Sequence, residues 1–149
     1  MSSTIKFETA IKYYIGHRYQ LAQDYEHDLT GTQFELDLTR RPLYQPIAVH
    51  MTATTLRVEA GYNWDGPSGP TIHTSNTFRA SLVHDALYHL MRLQLIPNHS
   101  RNRKQADLLM YRILRADGMN FVRAKVFYYA VRLFGKASTS TPVRTYSAP

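Results

Sequence analysis

The chain changes its hydrophobic period once, across a stretch that cannot be regular structure. Gly61-Tyr62-Asn63-Trp64-Asp65-Gly66-Pro67-Ser68-Gly69-Pro70 holds three glycines and two prolines in ten residues, residue types that break helices and interior strands alike. Before this stretch apolar residues alternate with polar ones; after it they recur every three or four positions. A single switch of this kind divides a chain into a β part and a helical part. The expectation is an α+β fold: a small antiparallel β portion at the N-terminus followed by a core of three helices.

The alternation is clearest in Phe34-Glu35-Leu36-Asp37-Leu38-Thr39 and in Leu56-Arg57-Val58-Glu59-Ala60, the pattern of strands with one buried face. Ile47, Val49 and Met51 alternate with Ala48 and His50. Gly31, Pro42 and Pro46 punctuate these runs as turns do. Residues 4–15 read equally as helix or strand. On the helical side, Val83, Ala86, Leu87 and Leu90 form one apolar stripe in a helix starting near Asn76. Pro97 and Asn98 interrupt it. Ser100 is placed to cap a second helix, whose stripe is Ala106, Leu109, Met110 and Ile113, with Gly118 at its end. A third helix, about Phe121 to Phe134, carries Val122, Val126, Tyr129 and Leu133, and Gly135 closes it. The organisation is one domain over 1–136, with 1–60 mainly β, 61–75 a glycine-rich loop and 76–136 helical. The Ser/Thr/Pro-rich residues 137–149 read as a flexible tail.

With 149 residues and 44% apolar content, the chain can bury a core without covalent staples. It has no cysteine, which excludes disulfides, thiolate metal sites and a thiol nucleophile. Met1 to Ala10 carries Lys6 and Glu8 and no apolar segment, unlike a signal peptide. No run approaches the roughly 18 apolar residues of a membrane span. The net charge of +7 is uneven: residues 1–100 sum to −1 and residues 101–149 to +8. Such a basic half attracts anionic partners.

Chemistry concentrates on the first two helices. His84 and Tyr88 lie four residues apart and share a face, whereas Asp85 points about 100° away. Asp85 is thereby free to meet a metal held against the glycine loop. Asp107 and Tyr111 share a face on the second helix. Two helices joined by a short connection pack antiparallel, which brings Asp107 within reach of the His84 imidazole. A carboxylate on one ring nitrogen fixes the tautomer and leaves the other nitrogen as a base. Each residue also has an ordinary reading: His84 as a core-edge histidine, Asp85 as a solvated helix residue, Asp107 as a first-turn acid favoured by the helix dipole, and Tyr88 and Tyr111 as core aromatics.

His84-Asp85-Ala86-Leu87-Tyr88 resembles the His-Asp-x-x-Tyr helix of phospholipases A2, and Tyr62 to Gly69 resembles their calcium loop, closest to the Gly-Pro-Gly type of the parvovirus capsid enzymes. Ala106-Asp107 stands where that family has its second-helix aspartate. Gly61 to Gly135 also resembles a phage and prophage family of unknown function. That family has a similar loop, a helix like Leu82 to Tyr88, then Arg103-x-x-Ala106-Asp107, and a late segment like Tyr129-Ala130-Val131-Arg132-Leu133-Phe134-Gly135. The phospholipase resemblance implies a phospholipase A2-like helical core. In it His84 is the general base, Asp107 orients it, and Tyr88 and Tyr111 support Asp107 or its helix. Asp85 would bind Ca²⁺ with loop backbone carbonyls at Trp64, Gly66 and Ser68. The loop departs from the secreted enzymes, with Asp65 and Pro67 where they have glycine and cysteine.

Two functions follow as expectations. One is a calcium-dependent lipid esterase acting on an anionic phospholipid membrane, with Phe127, Tyr128 and Phe134 at the interface. The other is a non-catalytic phage tail, virion or assembly protein, contacting other phage structural proteins, in which the same residues fix the helix pair. The corresponding locations are a phage virion or the host cytoplasm. A metal-dependent hydrolase of another bond, with His73 joining His84, Asp85 and Asp107 on zinc, lacks the usual His-x-x-x-His spacing. Nucleic-acid binding has the charge but no motif.

Overall fold

Strands precede helices in the computed structural model, which describes residues 11, 13–15, 19–36, 48–66 and 74–140. The α+β expectation holds. Strands β1 (Tyr13–Ile15), β2 (Tyr19–Leu21) and β6 (Asn63–Trp64) form one antiparallel sheet in the order β1-β2-β6. Strands β3 (Tyr25–Asp28), β4 (Val49–Met51) and β5 (Thr55–Val58) form a second, in the order β3-β5-β4. Tyr19 pairs with Trp64, and Tyr25 and Val49 both stand opposite Val58. The alternation places Leu56 and Val58 inward and Arg57 outward, as a half-buried strand requires.

The strand expected over Phe34–Thr39 forms no ladder in its described part. Phe34, Glu35 and Leu36 are irregular, and residues 37–39 lie outside the described residues. Glu35 is instead held by a side chain. Its N–H donates to Asn102 Oδ1 at 2.8 Å, and its carbonyl accepts from Asn102 Nδ2 at 2.9 Å. Asn102 also donates to the Pro97 carbonyl at 2.9 Å. A fully buried amide with each of these bonds made is a strong local lock.

Helix α1 (Phe78–Arg92) follows a 3-10 turn at Ser75–Thr77. It is buried almost all round, from Arg79 through Met91. A helix this enclosed owes its stability to packing rather than to caps; Thr77 makes no side-chain cap bond. Each large side chain buried there contributes about 1.5–3 kcal/mol. Helix α2 (Ser100–Ala116) packs against α1 and buries Ala106, Leu109, Met110 and Ile113 as anticipated. Its N-cap is His99, not Ser100: His99 Nδ1 accepts from the Asn102 N–H at 3.2 Å, and Ser100 is the first helical residue. Gly118 stands just past the end of α2, as expected.

Helix α3 (Phe121–Ser140) differs most from its sequence reading. Its core face is Ala124 and Phe127, with Val131 partly buried. The stripe Val122, Val126, Tyr129 and Leu133 faces outward. Both stripes repeat at helical spacing, and only packing against α1 and α2 decides between them. Gly135 does not close the helix, which continues to Ser140 and so takes in the first residues of the expected tail. Gly135 is a contact point: a Cβ there would lie 2.3 Å from the Tyr88 hydroxyl oxygen.

A second polar network fastens the helices to the β portion. Arg79 forms a bidentate pair with Asp117, Nη2 to Oδ1 at 2.6 Å and Nε to Oδ2 at 3.0 Å. Arg79 Nη1 also donates to the Tyr25 hydroxyl at 3.2 Å, and that hydroxyl lies 2.9 Å from His27 Nδ1. Among the described residues no helix is long and apolar enough to cross a membrane.

Candidate functional site

Asp107 lies fully buried on the inner face of α2 and receives donors from two other helices. From α1, His84 Nε2 donates to Oδ1 at 2.7 Å and the Tyr88 hydroxyl donates to the same oxygen at 2.6 Å. From α3, Arg132 Nη1 donates to Oδ2 at 2.7 Å. His84 and Tyr88 meet one carboxylate because they stand one turn apart on α1. Tyr88 reaches it only because Gly135 leaves room above its hydroxyl.

An ionised carboxylate only accepts hydrogen bonds, so its contact with Nε2 puts the proton on that nitrogen. In the neutral ring Nδ1 then carries the lone pair. Nδ1 is 3.9 Å from Asp85 Oδ1, beyond a direct hydrogen bond. His84 and Asp85 open onto a small pocket whose other walls include Ser81, Met110, Phe127 and Val131. Its interior has room for about one water. Burial opposes a charge on His84, but the hydrogen bond and the negative charge of Asp107, with the nearby charge of Asp85 adding to them, outweigh it; the His84 pKa is raised. Burial, followed by the charge of Asp107, raises that of Tyr88.

The glycine loop begins beside this pocket. Trp64 is buried and its indole N–H donates to Ser81 Oγ at 3.0 Å, one turn of α1 before His84 and Asp85. Gly66 has φ +82°, and a Cβ there would lie 2.3 Å from the Tyr19 ring, so glycine is required twice over. Tyr62 feels the charge of Asp85, which together with the larger effect of burial raises its pKa. Ser68 and His73 lie outside the described residues.

Calcium takes oxygen ligands, side-chain and backbone together. Asp85 offers a carboxylate with 31% of its side chain exposed. No three His, Cys, Asp or Glu side chains among the described residues are grouped to hold a metal. Both Asp107 oxygens are occupied by protein donors, which removes Asp107 from any shared metal set. Asp85 is thus the carboxylate left at the pocket without an Asp107-like set of protein donors.

A family model matches residues 42–131, more than half of the chain. The chain belongs to that family, described as a protein of unknown function (DUF1353). Comparison with curated proteins and with solved structures gives no match. The DUF1353 stretch contains the glycine loop, His84, Asp85, Tyr88, Asp107 and Tyr111. Arg132 and Gly135 follow it.

His84, Asp107 and Tyr88, singled out from sequence, come together in one network, with Asp85 beside it. Tyr111 is half-buried and sets its ring edge-on to Tyr128, 6.3 Å between centroids, at the α2–α3 contact. Arg132 was given no role by its sequence context. Its signal is positional: it adjoins Val131 on the core stripe of α3, a face legible only once the correct stripe is chosen.

Proposed function

We propose that this protein is a hydrolase in which His84 is the general base, acting on carboxylic esters of phospholipid in the manner of phospholipase A2. The observation that carries the reading is the setting of His84: Nε2 is committed to buried Asp107, which leaves Nδ1 as the second ring nitrogen of a residue that lines a small pocket with room for about one water. In the proposed step Nδ1 takes a proton from that water as its oxygen bonds to the ester carbonyl carbon. The tetrahedral intermediate then expels the alcohol oxygen, which recovers the proton from His84, leaving a fatty acid and an alcohol. Asp107 keeps the ring oriented and stabilises the imidazolium. Asp85, with backbone oxygens at Trp64, Gly66 and Ser68, would hold calcium. Calcium, when bound, supplies positive charge for the developing oxyanion.

A second reading has its own observation. Arg132 gives Asp107 a third donor from a third helix, as a purely structural lock would. On that reading the protein is a phage structural or assembly component whose network fixes the helices. The deciding measurement is fatty-acid release from phosphatidylglycerol vesicles with calcium or with chelator. Calcium-dependent release that disappears in a folded His84→Gln variant supports the esterase. No release at any calcium concentration overturns it in favour of the structural reading.

A further inference from the structure

Every large hydrophobic side chain exposed among the described residues sits on α3: Phe121, Val122, Val126, Tyr129, Leu133 and Phe134, between 44% and 76% exposed. On a helical wheel Val122, Val126, Tyr129 and Leu133 fall within about 60° of one another, opposite the core face of Phe127 and Val131. An outward apolar stripe of this size on a monomer marks a surface meant to be covered.

The charge around the stripe has one sign. From Gly118 to Lys136 the chain contains Arg123, Lys125, Arg132 and Lys136 and no acid. Exposed Arg112 and Arg115 add to it from α2. A second copy of the same face would set Lys125 and Lys136 against like charges, which opposes self-pairing. An anionic lipid surface accepts both features, apolar side chains below the headgroups and basic ones among the phosphates.

We infer that the outer face of α3 docks onto an anionic phospholipid bilayer. This takes the esterase reading as its premise, because the inner side of the same helix lines the His84 pocket through Phe127 and Val131. Docking therefore sets the pocket one helix diameter, roughly 10 Å, from the membrane surface. The face differs from the sequence expectation: Phe127 is core, while Phe121, Val126, Tyr129 and Leu133 join Phe134 on the surface.

The test is co-sedimentation with vesicles of phosphatidylcholine alone or of equal parts phosphatidylcholine and phosphatidylglycerol, without calcium. The full chain should bind the anionic vesicles, weaken as salt rises, and leave neutral vesicles in the supernatant. Leu133→Asp, at an exposed site that leaves the fold intact, should lower partition at least tenfold, and Lys125→Glu by about fivefold or more. His84→Gln should bind as the parent does. Unchanged binding by Leu133→Asp overturns the inference. So does absence of binding combined with self-association that Leu133→Asp abolishes, which would assign the face to a second copy. Loss of fatty-acid release in His84→Gln with docking retained separates the two claims. Release that persists without vesicle binding sinks this one alone.

Discussion

Replacing Gly135 by alanine puts two effects of opposite sign at one atom. Glycine inside a helix costs about 1 kcal/mol relative to alanine, so at an open site the substitution would stabilise. Here the added Cβ would lie 2.3 Å from the Tyr88 hydroxyl and 3.1 Å from ring carbons. The hydroxyl cannot retreat without losing its 2.6 Å bond to Asp107, and a bond to a charged, buried acceptor contributes about 1.5–3 kcal/mol. Gly135→Ala should therefore destabilise by about 0.5–2 kcal/mol, measured as the urea midpoint at constant slope. The control is Tyr88→Phe. With the hydroxyl gone, the remaining contact at 3.1 Å yields to a small ring movement, and alanine at 135 should become neutral or mildly stabilising. The coupling in the double-mutant cycle should be about 1.5–3 kcal/mol. Additive effects, or a single Gly135→Ala variant more stable than the parent, would refute the claim that Gly135 exists to admit Tyr88.

Three further outcomes are expected. Asn102→Ala removes the partner of the Glu35 N–H and of two carbonyls in a part-buried site and should cost about 1–3 kcal/mol in chemical denaturation; a loss near zero would show that water replaces the amide. The His27 pKa is lowered to about 4, first by burial and then by the charge of Arg79. Its contribution is thus present above pH 6.5 and fades as pH falls toward 4, whereas that of His84, raised, is complete below 6.5 and fades on the alkaline side. His27→Gln should flatten the acid-side fall in urea midpoint, and an unchanged slope would assign that fall elsewhere. Arg132→Met removes a positive charge from Asp107 Oδ2 and should move the His84 titration upward, followed by NMR; an unmoved titration would mean Arg132 only fastens α3.

The periodicity of α1 and α2 was legible because the apolar positions at helical spacing in each are among those that packing buries. The same rule read α3 backwards, since two stripes compete there and local sequence does not say which meets Tyr88 and Met110. Strands β2 and β3 escaped notice because Tyr19-Gln20-Leu21 and Tyr25-Glu26-His27-Asp28 are too short for alternation to stand out. Phe34 to Leu36 had the alternation without a partner strand, and Asn102 takes the backbone groups a ladder would have used. His84, Tyr88 and Asp107 were recoverable because helix spacing fixes faces. The Arg79–Asp117 pair, 38 residues apart, and Arg132 depend on tertiary approach that no window of sequence contains.

Trp64, the single tryptophan of the chain, gives the site a built-in optical probe. Its indole is hydrogen-bonded to Ser81 on the wall of the pocket, and the Tyr19 ring stands 5.7 Å away. Intrinsic tryptophan emission from this protein therefore comes from one place, where β6 packs against α1. Titrating calcium or vesicles against that emission reads the state of the loop directly, with no label attached and whatever the substrate turns out to be.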